Sequence, residues 1–266
     1  MMGSANDIRR TRGATFNDIA QLYDATRPSY PIELVETAIE LAQLPQAATI
    51  LEIGCGTGKA TALFAPRGYA MLCLEPGHNL AAVAAENLRA YPKVAIERTT
   101  FEDWPLQAGQ FDLVMAAQAF HWVSPEIGYP KAAHVLKNSG HIALFENRPP
   151  DDESELRDQL DLVYQTHAPP IARPRDNRLE AELREAAAEI AGSGYFTDVT
   201  VKQFPWSAYY TTQQYLDLLD TYSDHRLLPA ATKRALFDGV AGVLGRNGGG
   251  IAKPYVAVLY VARKRL

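Results

Sequence analysis

The segment Leu51-Glu52-Ile53-Gly54-Cys55-Gly56-Thr57-Gly58-Lys59 ends a short apolar run with three alternating glycines. The run itself, Ala48-Thr49-Ile50-Leu51-Glu52-Ile53, has the length and composition of a buried parallel strand. Glycines at a strand-to-helix turn let the backbone approach a ligand without a Cβ in the way. The helix N-terminus that follows favours negative groups. Three ligand classes compete for such a turn. A P-loop needs glycine five residues before Gly58 and Ser or Thr directly after Lys59, where the chain has Ile53 and Ala60. A dinucleotide fingerprint needs glycine at the position of Lys59. What is left is Glu52-x-Gly54-x-Gly56-x-Gly58, beside the bland reading of a tight turn that holds nothing.

Outward from the turn, strand-like and helix-like runs alternate. Tyr69–Leu74 reads as a second strand ending in Glu75-Pro76-Gly77, with room for one crossover helix before it. Leu80, Val83, Ala84, Leu88 and Tyr91 recur at helical spacing. Strands are expected at Val94–Thr99, Phe111–Ala117 and His141–Phe145, with a helix over Pro125–Leu136 between the last two. This rhythm gives an α/β, doubly wound, mostly parallel sheet with helices on both faces. Past Asn147 the texture changes. Arg148-Pro149-Pro150-Asp151-Asp152 is a breaker, Leu156, Leu160 and Val163 mark a helix, and Ala168–Pro174 is a stiff connection. Leu179, Leu183, Ala186 and Ile190 mark another helix, ending at Gly192 or Gly194. Val199–Trp206 reads as a strand, and Thr211-Thr212-Gln213-Gln214 as a capping box for a helix bearing Tyr215, Leu218, Leu219 and Tyr222. A helix over Pro229–Leu244 and a strand over Pro254–Ala262 follow. Three regions result: an N-terminal arm with lid helices over 1–46, a ligand-binding core over 47–148, and sheet completion with helical insertions over 149–266.

The glycine spacing resembles the first motif of class I S-adenosylmethionine-dependent methyltransferases, and four further segments agree with that family in order. Phe16–Pro31, with Tyr23, Asp24, Arg27, Pro28, Tyr30 and Pro31, is similar to its "Y-D-x-x-R-P-x-Y-P" lead-in. Glu75 stands 17 residues after Gly58 at the end of the second strand. Thr99-Thr100-Phe101-Glu102-Asp103-Trp104 follows the third strand, and Gln118-Ala119-Phe120-His121-Trp122 follows the fourth. The resemblance implies a seven-stranded Rossmann-like methyltransferase fold with helical cap insertions. It also implies S-adenosylmethionine as cofactor and S-adenosylhomocysteine as product. Cofactor contacts would come from Tyr23, Arg27, Glu52, Gly54, Cys55, Gly56, Thr57, Gly58, Glu75, Pro76, Phe101, Glu102 and Gln118. Glu75 would accept both ribose hydroxyls, and Phe101 (through its backbone) and Glu102 would read the adenine edge. The acidic residue usual one place before Phe101 is Thr100 here.

Each role has a plainer alternative. His121 is the candidate general base, because imidazole titrates near neutrality; the plainer reading is that it packs or caps the helix near Ser124 and shapes the pocket. Tyr23 and Arg27 fit a lid over the cofactor or an aromatic staple with a surface ion pair. Cys55 fits a small residue tolerated in the turn. Tyr209, Tyr210, Tyr222, His225 and Arg226 fit a substrate lining or ordinary core.

Composition sets the remaining limits. The 266 residues are 47% hydrophobic and 21% charged, ordinary for a globular protein. Lys plus Arg number 26 against 31 Asp plus Glu, and the resulting net charge of −5 disfavours a nucleic-acid partner. So does the lack of an Asp/Asn-Pro-Pro-aromatic element after the fourth strand, which base-methylating members of the family usually carry. Cys55 and Cys73 are too few for a disulfide framework or a zinc site, so no metal is expected. No run approaches the ~20 apolar residues that span a bilayer. A cytoplasmic enzyme methylating a small organic molecule on oxygen, in the manner of trans-aconitate or quinone-precursor methyltransferases, is the expectation. An NAD-dependent oxidoreductase and a non-catalytic S-adenosylmethionine-binding subunit are the alternatives. The oligomeric state has no signature in the sequence.

Overall fold

The computed structural model describes residues 17–150, 152–172 and 178–266. In chain order the helices are α1 (Ala20–Thr26), α2 (Ile32–Leu41), α3 (Thr61–Phe64), α4 (His78–Asn87), α5 (Pro125–Val135), α6 (Glu155–His167), α7 (Leu179–Gly192), α8 (Thr212–Asp220), α9 (Ser223–Arg226) and α10 (Ala230–Arg246). The strands are β1 (Thr49–Ile53), β2 (Ala70–Leu74), β3 (Val94–Glu97), β4 (Phe111–Ala117), β5 (Leu136–Arg148), β6 (Phe196–Thr211) and β7 (Gly250–Lys264). They form one seven-stranded sheet in the order β3-β2-β1-β4-β5-β7-β6. The first five are parallel neighbours, and β7 runs antiparallel to β5 with Leu144 opposite Tyr260. The expected Rossmann-like, mostly parallel sheet is therefore present.

The chain divides into two compact units. The sheet unit holds residues 29–148, 180–205 and 256–266. Its central strands are apolar on both faces, as parallel strands covered by helices must be: Leu51, Leu113, Val114, Met115, Ala143 and Val258 are fully buried. The strand order reverses between β1 and β4, so the loops after these strands open at the switch point where such sheets bind ligands. The helical unit holds the described residues of 17–28, 149–179 and 206–255. Leu160, Leu218, Leu236, Val240, Val243 and Leu244 from α6, α8 and α10 make its core, with Tyr215 and Tyr255. α8 begins with the expected reciprocal cap, Thr211 Oγ1 accepting from the Gln214 N–H and Gln214 Oε1 from the Thr211 N–H.

Several elements differ from their sequence outlines. The crossover between β1 and β2 is only the one-turn α3 and a 3-10 turn over Ala65–Arg67, since Pro66 breaks the helix. β5 starts at Leu136 directly from α5, and β6 extends beyond Val199–Trp206 at both ends, running from Phe196 to Thr211. The N-terminal arm through Phe16, Asp151 and the Arg173–Pro174 connection lie outside the described residues.

Candidate cofactor and active site

The glycine turn after β1 is built from left-handed residues, with φ of +67° at Gly54, +58° at Gly56 and +82° at Gly58. Gly54 and Cys55 donate their N–H groups to the Leu74 carbonyl (2.8 and 3.1 Å), and Gly58 donates to Cys55 (2.9 Å). A Cβ on Gly54 would lie 2.7 Å from the Ala119 Cβ, and one on Gly58 would lie 2.8 Å from Leu88. Those two glycines let the turn pack against its own neighbours. Gly56 differs, for a Cβ there would meet nothing within 4 Å. It is the open face of the turn, where backbone can approach a ligand. Asn87 of α4 steadies this face by donating to the Thr57 carbonyl (3.0 Å).

Two carboxylates flank the turn. Glu75, at the end of β2, is 6% exposed. Its Oε2 accepts the Gly56 N–H (2.9 Å) and its Oε1 the Gly77 N–H (2.8 Å). Burial pushes its pKa up, and these two N–H bonds partly offset that. Glu52 is fully buried beneath the turn. Thr61 donates to its Oε2 (2.6 Å), and the Cys73 thiol lies 3.9 Å from the same oxygen. Burial pushes Glu52 up to about 7, opposed by the Thr61 and Cys73 bonds and reinforced by the charge on Glu75. Its Oε1 and the Thr57 hydroxyl have no hydrogen-bond partner among the described residues. Such orphaned buried polar atoms are rare and mark places that a polar ligand or a water can satisfy. The Cys55 thiol is pushed well above its ordinary value by the neighbouring Cys73 and by burial, which disfavours its thiolate.

The loop after β3 places Phe101 in the core at 2% exposure and leaves Glu102 half-buried. Its shape comes from Thr100, whose hydroxyl accepts the Asp103 N–H (3.0 Å), and from buried Trp104, whose indole donates to Glu97 (3.0 Å). Lys131, reaching across from α5, donates to the carbonyls of Glu102 and Trp104. After β4, Gln118 takes φ of +51° while its N–H reaches the Phe145 carbonyl (2.9 Å). Phe120-His121-Trp122 forms a 3-10 turn in which exposed His121 lies 4.8 Å from the Trp122 ring.

Gly54, Cys55, Gly56, Thr57 and Gly58 thus form one turn that Glu75 bonds at Gly56, with Glu52 buried before it on β1 and Pro76 next to Glu75. Phe101 and Glu102, Gln118, and His121 stand on the loops after β3 and β4 of the same unit. Tyr23 and Arg27 belong to the helical unit. There Arg27 donates to Thr221 Oγ1 (2.8 Å) and to the Thr221 carbonyl (2.9 Å), and lies over the rings of Tyr222 and Tyr23. In the same unit His225 bridges Asp224 (2.7 Å) and the Tyr164 hydroxyl (2.8 Å). Sequence reasoning missed Lys131, Asn87 and Thr61, whose partners are 9 to 30 residues away and carry no local pattern. Among the described residues there is no group of three His, Cys, Asp or Glu placed to hold a metal ion, and no helix long and apolar enough to cross a membrane.

Residues 51–144, the span from β1 to β5, match the family model of the methyltransferase domain. The enzyme is a methyltransferase. An uncharacterized methyltransferase of Mycobacterium bovis, Mb3374, is 29% identical over 94% of this chain and 96% of its own length. A candidate type II methyltransferase from Anaeromyxobacter dehalogenans shares the fold at a TM-score of 0.61, with 20% identity over 90% of this methyltransferase and 96% of that chain. A phosphoethanolamine N-methyltransferase of Haemonchus contortus, solved with S-adenosylhomocysteine, aligns over 99% of this chain and 61% of its own at a TM-score of 0.57 and 13% identity. These matches support the class I S-adenosylmethionine-dependent family.

Proposed function

We propose that this methyltransferase moves a methyl group from S-adenosylmethionine to an oxygen of a small organic molecule. The observation that carries the cofactor assignment is Glu75, a buried carboxylate tied to the open Gly56 and to Gly77 at the start of α4. A carboxylate held by two backbone N–H groups keeps further lone pairs in a fixed direction, which suits a pair of vicinal hydroxyls. When bound, S-adenosylmethionine supplies a sulfonium-activated, electrophilic methyl group. Gly54 to Gly58 then approach it by backbone, with Glu52 and Thr57 offering their orphaned oxygens and Pro76 flanking the ribose. The Phe101 backbone and Glu102 read the base edge, and Gln118 flanks the methionine part. The chain's remaining tasks are to align the acceptor and exclude water.

An oxygen acceptor must lose a proton, and His121 is the exposed imidazole on the loop after β4 that takes it. The acidic balance of the chain supports a small acceptor over a nucleic acid. Acceptors of the trans-aconitate or quinone-precursor kind are the class that the sequence resemblance favours. Titration calorimetry with S-adenosylhomocysteine and, separately, NAD tests the cofactor reading. Binding of S-adenosylhomocysteine alone is expected, with Glu75→Ala weakening it by about 1–3 kcal/mol. Binding of NAD alone, or an unchanged affinity in Glu75→Ala, would refute it.

A further inference from the structure

The segment from Thr100 to Trp104 has no strand or helix to fix its peptide planes, so its carbonyls need donors from elsewhere. Lys131 supplies them. Its ammonium donates to the Glu102 carbonyl at 3.0 Å and to the Trp104 carbonyl, and lies 5.3 Å from the centre of the buried Phe101 ring. An ammonium has three N–H donors. Two of them clamp the peptide planes after Glu102 and Trp104, and the charge rests against an aromatic face. Thr100 closes the segment from its own start through Asp103, and Trp104 plugs it into the core at 2% exposure. Because each peptide is planar, the Trp104 N–H on the Thr100 carbonyl (3.0 Å) sets the Phe101 N–H, and Lys131 on the Glu102 carbonyl sets the plane on the far side of the Glu102 side chain.

We propose that Lys131 is a positioning residue that gives this methyltransferase its preference for adenine, by locking the base-reading segment Phe101–Glu102 in one conformation. The proposal rests on the cofactor assignment above. Loss of water around the ammonium lowers the Lys131 pKa, opposed by the nearby Glu102 and Asp103 charges, as befits a cation committed to protein carbonyls. A fixed array of donors and acceptors rejects a base whose edge is reversed, whereas a loose one adapts to it. S-inosylhomocysteine is such a probe, since a carbonyl replaces the amino group of S-adenosylhomocysteine.

The test is calorimetric affinity for both compounds in the wild type and in Lys131→Met. The wild type is expected to prefer S-adenosylhomocysteine, and Lys131→Met to lower that preference about tenfold. A purely structural role would weaken both compounds equally, and an unchanged ratio would overturn the proposal. Should thermal unfolding show Lys131→Met to be unfolded, Lys131→Gln keeps uncharged N–H donors on a shorter side chain, and an intermediate ratio is expected; a wild-type ratio overturns the inference. Failure of the wild type to bind either compound would overturn the cofactor assignment itself.

Discussion

Replacing Glu52 by Gln separates the electrostatic cost of a buried carboxylate from its packing. Glu52 is fully buried, and its pKa is raised from 4.5 to about 7, chiefly by burial. That difference corresponds to about 3 kcal/mol of penalty on the ionised native state, with no discount for solvent screening because the group has no exposure. The sign follows from proton counting. Between pH 4.5 and 7 the native state keeps a proton that the unfolded chain has released, so stability falls as pH rises through this window and levels off above it. Raised pKa values at Glu75 and Glu146, both caused first by burial, add to the fall. The lowered pKa of His141, also caused first by burial, works the other way below its ordinary value. Subtracting the wild-type curve from that of Glu52→Gln removes these shared terms. Gln mimics the protonated acid, since its oxygen can accept the Thr61 hydroxyl and its amide occupies the place of the orphaned Oε1. Any cost of that amide is constant with pH. The assay is urea unfolding of both proteins without cofactor between pH 5 and 7.5. The variant is expected to gain on the wild type by about 2 kcal/mol across that range. A difference curve that stays flat would refute the reasoning.

Two of the three glycines of the turn, Gly54 and Gly56, should respond differently to alanine. Gly54→Ala meets both the positive φ and the Ala119 Cβ at 2.7 Å, so a loss of about 2–4 kcal/mol in urea unfolding is expected. Gly56→Ala meets only the positive φ, costs about 1–2 kcal/mol, and should show its larger effect in the calorimetric affinity for S-adenosylhomocysteine. His121→Ala should lower kcat at neutral pH roughly 100-fold while leaving S-adenosylhomocysteine affinity intact, measured on an acceptor found by metabolite screening. Full turnover across pH would remove its role as base. Thr221→Val removes a hydroxyl that accepts from Arg27 and donates to the Leu218 carbonyl, and urea unfolding should report a loss of about 1.5–3 kcal/mol.

What could be read in the sequence was whatever local backbone chemistry dictates. The glycine spacing implied a turn that only left-handed residues can make, and Thr211 with Gln214 implied a reciprocal cap, because each signal is complete within five residues. The start of β5 was hidden by Lys137-Asn138-Ser139-Gly140, which reads as a turn. The strand instead absorbs these residues in an irregular register, with Phe111 opposite Leu136 but Leu113 opposite His141. Val199–Trp206 covers only the middle of β6; the strand continues past Pro205, since an edge strand tolerates a proline where one side of it needs no ladder bonds. The tertiary clasps were not legible at all. Lys131 binds main-chain carbonyls 27 and 29 residues away, and Arg27 binds Thr221 across 194 residues. A carbonyl acceptor has no side-chain signature, so only the fold reveals which lysine serves it.

The sheet order has a consequence for the chain as it leaves the ribosome. β3, β2, β1, β4 and β5 can pair in the order in which they become available, but β6 is made before its neighbour β7, which must slip between β5 and β6. Until then β5 presents a long, apolar, unpaired border, and Ile142, Ala143, Leu144 and Phe145 on it are all buried in the finished molecule. Nascent chains held at this stage are therefore the ones most exposed to edge-to-edge association. Release from that hazard waits on about fifteen residues of β7, whose insertion converts a sticky intermediate into a sealed interior.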